Sequence, residues 1–209
     1  MVALSGLDIE KDTILEIACL ITDKDLNIVS EEFSLVINQP DVILENMNKW
    51  CINHHAKTGL TIESRCSKIN LKDAEQMLLN FLKKYISNQT CPLAGNTIYM
   101  DRLFLLKLMP LVNDYLQYRI IDVSSIKELA RRWHPTIYKN TPRKNCEHRA
   151  LSDIKESINE LKYYRNNLFI SQGALLEIVC YFLEKSRSKS KKLYSKPYIK
   201  FTNGIILID

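Results

Sequence analysis

Three side chains have the type and placement for metal-assisted hydrolysis: Asp101, His148 and Asp153. Asp101 follows a Gly95-Asn96 turn and opens a helical pattern. Asp153 falls in the first turns of another helical pattern, and His148 lies five residues before it. Carboxylates are the hard oxygen donors that magnesium takes, one or two at a time, together with phosphate oxygens and water. A histidine titrates near neutrality and can take a proton from water beside such a site. Five residues along a regular helix is a rotation of about 140°, so His148 and Asp153 do not share a helical face. They converge only if His148 stands on the loop that enters the helix. Spacing alone leaves the plainer readings open. An aspartate in a first helical turn also complements the helix dipole, and a loop histidine is also simply solvated.

The elements that must position these groups follow from hydrophobic period and turn chemistry. The apolar, β-branched run 12–23 closes on Asp23-Lys24-Asp25, and 32–38 alternates before Pro40; together they predict a two-stranded hairpin. Spacing predicts a helix over 41–57. It predicts a clearer one over 71–86, where Leu71, Ala74, Met77, Leu78, Phe81, Leu82 and Tyr85 follow the i, i+3, i+4, i+7 spacing of one face. Cys91 to Asn96 predicts a strand ending in a turn, and 100–109 a helix stopped before Pro110. Tyr118 to Val123 predicts a strand, followed by a helix over 125–133 capped by Ser124. The polar segment 135–147 reads as a loop. Ala150, Leu151, Ile154, Ile158 and Leu161 then stripe a helix running to about Arg165. Strands first, then alternating helix and strand, predict an α/β domain with a mixed sheet flanked by helices.

Composition narrows the function. Hydrophobic residues make up 46% and charged residues 25%, the balance of an ordinary globular chain. No run of eighteen apolar residues exists, so no transmembrane helix and no membrane partner are expected. Met1 to Gly6 has neither the basic nor the apolar region of a leader. Six cysteines at 19, 51, 66, 91, 146 and 180 form no C-x-x-C pair, which argues for reduced thiols in an intracellular compartment rather than zinc. Of the net charge of +5, residues 170–209 carry +4. The near-neutral body argues against a broad basic face gripping long nucleic acid and suits a short substrate in a small site. Two regions are therefore expected: a domain over 1–169, and a basic tail over 170–209, solvated and poorly ordered or, alternatively, bound to RNA or an acidic surface.

Ser5-Gly-Leu-Asp-Ile-Glu-Lys-Asp-Thr-Ile-Leu-Glu-Ile-Ala-Cys-Leu-Ile-Thr-Asp23 resembles the opening of oligoribonucleases. Cys91-Pro-Leu-Ala-Gly-Asn96 with Asp101, Tyr118-Arg-Ile-Ile-Asp-Val-Ser124, and His148-Arg-Ala-Leu-Ser-Asp-Ile-Lys-Glu-Ser157 with Tyr163-Tyr-Arg165 resemble later blocks of the same family. The resemblance runs from about Ser5 to Phe169. It implies a ribonuclease H-like fold, a homodimer, two divalent metals (Mg2+ or Mn2+), a mitochondrial or cytosolic setting, and 3′-to-5′ hydrolysis of very short oligoribonucleotides. Carried over by position, Asp101 and Asp153 are metal ligands and His148 the general base. Leu7 wedges against the terminal bases, Trp50 and His55 line the pocket, and Thr97 supplies a small hydroxyl. Tyr118, Arg119 and Ser124 form a cap on the far phosphate, Tyr118 and Arg119 reaching across the dimer. For Trp50, Tyr118 and Leu7 a simple core role is the alternative.

One departure is large. The family places an Asp-x-Glu just before its Thr-Gly-Leu, and in this register Met1 and Ala3 occupy the two acidic positions. Asp8-Ile9-Glu10 repeats the pattern, but beyond the turn. The expectation is an exoribonuclease with impaired turnover; the alternatives are a non-catalytic module that binds short RNA or dimerises, and a basic-tailed adaptor. A stub at 1–4 also predicts a frayed or shortened first strand.

Overall fold

The computed structural model describes residues 2–143 and 149–169. The expectations placed on His148 and on the tail from 170 fall outside these residues. The described elements run β1 (Val2–Leu4), β2 (Ile14–Cys19), β3 (Phe33–Val36), α1 (Asp41–Glu45), α2 (Lys49–Lys57), α3 (Leu60–Cys66) and α4 (Leu71–Tyr85). They continue β4 (Pro92–Gly95), α5 (Ile98–Leu108), α6 (Pro110–Tyr115), β5 (Gln117–Asp122), α7 (Val123–Trp133), α8 (Pro135–Lys139) and α9 (Ala150–Leu168). The order is the expected α/β one, with antiparallel and parallel pairing both present. None of the described helices is long and apolar enough to cross a membrane.

β2 is covered on both faces, which is why 14–18 reads as a nearly unbroken apolar run rather than an alternation. One cluster packs Ile14 and Ile17 with Leu78, Phe81 and Leu82 of α4 and with Phe104 and Leu105 of α5. A second gathers Leu15 with Leu44, Met47, Cys51 and Leu60. Burying each such leucine, isoleucine or phenylalanine contributes about 1.5–3 kcal/mol. α4 is held at its start by Asn70, whose side chain accepts from the Asp73 N–H at 2.9 Å.

Local chemistry shifts several boundaries from their expected places. The helix expected over 41–57 is two, because Asn48 takes an extended conformation and its side chain caps α2 at the Cys51 N–H, 2.9 Å away. Asp122, not Ser124, caps α7: its Oδ1 accepts from the Ser124 N–H at 2.8 Å. α5 does stop before Pro110, but the proline then serves as the first residue of α6. The same use of Pro135 starts α8 inside the segment expected to be loop. α3 follows Gly59, whose φ of 79° suits a residue without a Cβ.

The strands form two ladders. β1, β2 and β3 make an antiparallel sheet in which Val2 faces Ile17 and Glu16 faces Val36. β4 and β5 make a parallel pair in which Leu93 faces Ile120 and Gly95 faces Asp122. Among the described residues no ladder joins the two. β1 is three residues long and bulged between Ala3 and Leu4. A cavity of about 120 Å³ lies between the ladders, with Ile17, Cys19 and Ile21 on one side and Cys91, Leu93 and Ala94 on the other. Burial there pushes the Cys19 thiol up to about 11.

Candidate active site

The site is built from the turn after β1, from α2, and from the first turn of α9. The turn is tied by Asp12: its carboxylate accepts from the Ser5 hydroxyl at 2.8 Å and from the Asp8 N–H at 2.9 Å. Gly6 is needed because a Cβ there would stand 2.3 Å from an Asp12 oxygen. The turn thereby thrusts Leu7 outward, 70% exposed. Asp8 and Glu10 point away from the cavity, Asp8 toward Lys11 at 3.3 Å and Glu10 toward Lys107 at 3.1 Å. The Glu10 N–H, with Lys11 beside it, holds the Asp8 carboxyl below its ordinary value. Their position beyond the turn is the one expected from the sequence.

α2 carries Trp50, 61% exposed, with its ring stacked on His54 at a centroid distance of 4.6 Å and nearly parallel planes. His55 is buried, and its Nε2 lies 3.0 Å from the Leu4 carbonyl oxygen, which fastens α2 to the end of β1. Between these elements opens a cavity of about 480 Å³ lined by Ala3, Leu7, Trp50, His55 and Asp153, with Val2 at its inner wall. Leu7 and Trp50 are therefore not core residues; both are large apolar groups left in solvent at a cavity mouth.

Asp153 sits in the first turn of α9, its N–H donating to the Arg149 carbonyl at 3.0 Å. That turn is anchored by a group sequence reasoning missed. Glu16 on β2 is 1% exposed. Its Oε2 accepts from the Ala150 N–H at 3.1 Å, and its Oε1 from the Arg149 guanidinium at 3.2 Å. Arg149 also reaches Glu63 of α3 at 2.8 Å. The signal was available: an acid inside an apolar strand must be paired if the strand is buried. Asp101, in the first turn of α5, is buried, and its Oδ1 accepts from the Val2 N–H at 2.8 Å. Burial pushes its carboxyl above its ordinary value. Val2 thus touches Asp101 on one side and walls the Asp153 cavity on the other.

The remaining predicted residues divide into two groups. Thr97, at a φ of 52°, donates its N–H to Asp122 at 3.1 Å and to the Ser124 hydroxyl at 2.9 Å, and the two hydroxyls lie 3.2 Å apart. Thr97 and Ser124 are brought together where β4 and β5 end. Tyr118 and Arg119 are not with them. They sit at the start of β5, Tyr118 75% exposed with the Arg119 guanidinium 5.0 Å from its ring centre. From Tyr118 to Asp122 is four strand residues, on the order of 13 Å.

The donor set for metal is incomplete. Among the described residues no three His, Cys, Asp or Glu side chains gather to hold a metal ion. The Ala3 methyl lines the cavity at the position where the family resemblance implies a glutamate. Asp101 and Asp153 alone do not fit a centre for two divalent ions, whose charge and coordination call for more oxygen ligands.

The family model described as Exonuclease matches residues 4–161. The probable oligoribonuclease of Drosophila melanogaster is 54% identical over 166 residues, 79% of this chain and 79% of that protein. The mitochondrial oligoribonuclease of Homo sapiens is 53% identical over 166 residues, 79% of this chain and 70% of that protein. An oligoribonuclease of Francisella tularensis is 48% identical over 165 residues, 79% and 91% of the two chains. With an exonuclease domain matched over most of its length, a ribonuclease H-like α/β fold and about half of the aligned residues identical to these proteins, the chain belongs to the oligoribonuclease family.

Proposed function

We propose that this chain is a 3′-to-5′ exoribonuclease that takes oligoribonucleotides of a few residues to mononucleotides, with turnover lowered by Met1 and Ala3 at two acidic positions. The observation that carries the reading is the cavity of about 480 Å³ with exposed Leu7 and Trp50 at its mouth and Asp153 in its wall. That volume is in the range of small-ligand sites, about 300–1,000 Å³, and suits one or two nucleotides rather than a long strand. Exposed aromatic and aliphatic side chains give bases surfaces to stack on and wedge against.

An exonuclease domain of this kind depends on divalent metal; Mg2+ or Mn2+ is the natural choice for carboxylate and phosphate oxygens. Asp101 and Asp153 are the ligands this chain offers, and His148, directly before Arg149, is the proposed base. Because these groups do not complete a two-metal centre, the chain's own contribution is binding and orientation. Leu7 and Trp50 hold the terminal bases, His55 fixes α2 against β1, and the paired hydroxyls of Thr97 and Ser124 meet a phosphate. The distance of Tyr118 and Arg119 from that pair supports a homodimer in which they serve the partner's cap. Residues 1–169 are the exonuclease domain and 170–209 a basic tail. The setting is mitochondrial or cytosolic, in keeping with the human relative's name.

A hydrolysis assay on a labelled RNA dinucleotide with excess manganese tests this. The chain is compared with a variant carrying Met1→Asp behind a new initiator and Ala3→Glu. Loss of an outer partner of a metal site costs about 10–100-fold, so restoring two direct ligands should raise turnover by about 100-fold or more. Equal, substantial turnover by both would refute the assignment of Met1 and Ala3. Pocket-dependent binding with no turnover even after repair would favour the non-catalytic RNA-binding reading.

A further inference from the structure

At 70% exposure the Leu7 side chain is not held in place by packing of its own. The backbone on either side of it is held instead, and both sides end on one carboxylate. Asp12 Oδ1 accepts from the Ser5 hydroxyl at 2.8 Å, and Asp12 Oδ2 accepts from the Asp8 N–H at 2.9 Å. Ser5 and Asp8 flank Gly6-Leu7, so the two oxygens of Asp12 grip that segment from its two ends. Gly6 lets the carboxylate come in beneath the segment, where a Cβ would stand 2.3 Å from it. Hydrogen bonds to an ionised acceptor are the stronger kind. The neck of the turn is closed behind this grip. The Ser5 N–H donates to the Thr13 carbonyl at 3.0 Å, the Thr13 N–H to the Ser5 hydroxyl at 3.0 Å, and the Asp12 N–H to the Asp8 carbonyl at 2.7 Å. Farther round, Lys107 of α5 donates to the Ile9 carbonyl at 2.7 Å.

A wedge that stands in solvent on a loose loop must be ordered when a ligand arrives, and that ordering is subtracted from affinity. A wedge ordered beforehand avoids the loss. We propose that Asp12 is a positioning residue of the substrate site: its carboxylate pre-orders Leu7 and so tightens the hold on the terminal bases of an oligoribonucleotide. The inference rests on the wedge role proposed above for Leu7. The described residues lining the Leu7–Trp50 cavity do not include Asp12, so it acts through Leu7 and not by touching the ligand. Its charge works in the opposite direction. An acid beside a site for an anionic ligand weakens binding by Coulomb repulsion, so removing that charge would by itself tighten binding. Positioning and charge therefore predict opposite signs for the same substitution.

Calorimetric titration of the full chain with an RNA dinucleotide, in chelator so that no hydrolysis occurs, tests this. Leu7→Ala should weaken binding by about tenfold, the worth of one leucine covered by a ligand. Asp12→Ala should weaken it nearly as much, by about fivefold to tenfold, and Asp12→Asn, which keeps one acceptor oxygen, by about threefold. Each titration is run well below the variant's melting temperature, so a change in stability alone does not alter it. Where Asp12→Ala fails to fold, Asp12→Asn decides. The deciding readout is the double substitution. Because Asp12 acts through Leu7, adding Asp12→Asn to Leu7→Ala should change binding by less than about twofold, or tighten it slightly as the charge is lost. Binding by Asp12→Asn as tight as the parent's, or an equal loss from Asp12→Asn with and without Leu7, would overturn the proposal and leave Leu7 its role. Binding by Leu7→Ala as tight as the parent's, or no binding by the parent, would overturn the wedge itself and the proposal with it. The exonuclease reading is tested separately, by turnover in the dinucleotide assay.

Discussion

Glu16 illustrates how much one buried acid can organise. It lies in the most fully buried of the described strands and is itself 1% exposed. Its two oxygens are spent on the Ala150 N–H and the Arg149 guanidinium, so they fix the start of α9 to β2. Asp153 is one turn along that helix, and its direction into the cavity follows from the anchor. Glu16→Ala leaves Arg149 held by Glu63 alone and the Ala150 N–H unsatisfied, which should destabilise the fold by on the order of 2 kcal/mol. Glu16→Gln keeps an acceptor for the N–H and should cost less than half of that. Urea unfolding of the two variants measures the difference; equal stability of all three proteins would show that the anchor is not holding α9. Asp153 was singled out in the sequence from residue type and resemblance, and the structure sets it in the cavity wall; His148 lies outside the described residues. The anchor was not singled out, because pairing between positions 16 and 149 is a contact across the fold that no local spacing records.

At the scale of elements, α4 was legible almost to the residue because most of its apolar positions fall on one face and nothing interrupts them, although Met77, expected on that face, is 42% exposed. α2 was hidden inside a longer expected helix. The apolar spacing continues across Asn46-Met47-Asn48, and only the backbone turn at Asn48 breaks it. That break has a functional consequence, since it sets α2 at its own angle and lets Trp50 and His55 face the end of β1. Asn48→Ala removes the cap on the Cys51 N–H, which should cost about 1 kcal/mol. The loss falls on the first turn of α2, where Trp50 sits. The expected result is a lower melting temperature together with weaker dinucleotide binding, whereas Asn48→Asp or Asn48→Ser should restore both. Weakened binding that the serine variant fails to rescue would mean that the Asn48 side chain itself touches the substrate. α8 and α3 were missed for a related reason: each is a short helix started by a backbone device, a proline or a left-handed glycine, rather than by an apolar face.

At the scale of the whole domain, the described strands fall into two ladders that no strand pairing joins. β2 and β4 are held near each other by the helices packed over them and not by strand pairing. The β1–β2 register defines what would fill the break. Val2 faces Ile17, so in the same antiparallel register a residue two positions upstream would face Cys19, and one four positions upstream Ile21. Those two side chains, with Leu93 and Ala94 across the cavity, form an apolar slot of about 120 Å³. Adding an extended apolar segment such as Ile-Val-Val-Ile ahead of Val2, behind a new initiator, should therefore lengthen β1 and pair it with both neighbours. Three or four apolar side chains moved out of water contribute about 1.5–3 kcal/mol each, opposed by about 1–2 kcal/mol per residue ordered, so the net gain should be a few kcal/mol at most. Hydrogen exchange is the sharper measurement. Protection should rise at β4 amides between Leu93 and Gly95, which the added strand would reach, and change little in α7, which it would not. A stability gain without new protection in β4 would mean that the segment packs on the surface and does not pair with β4.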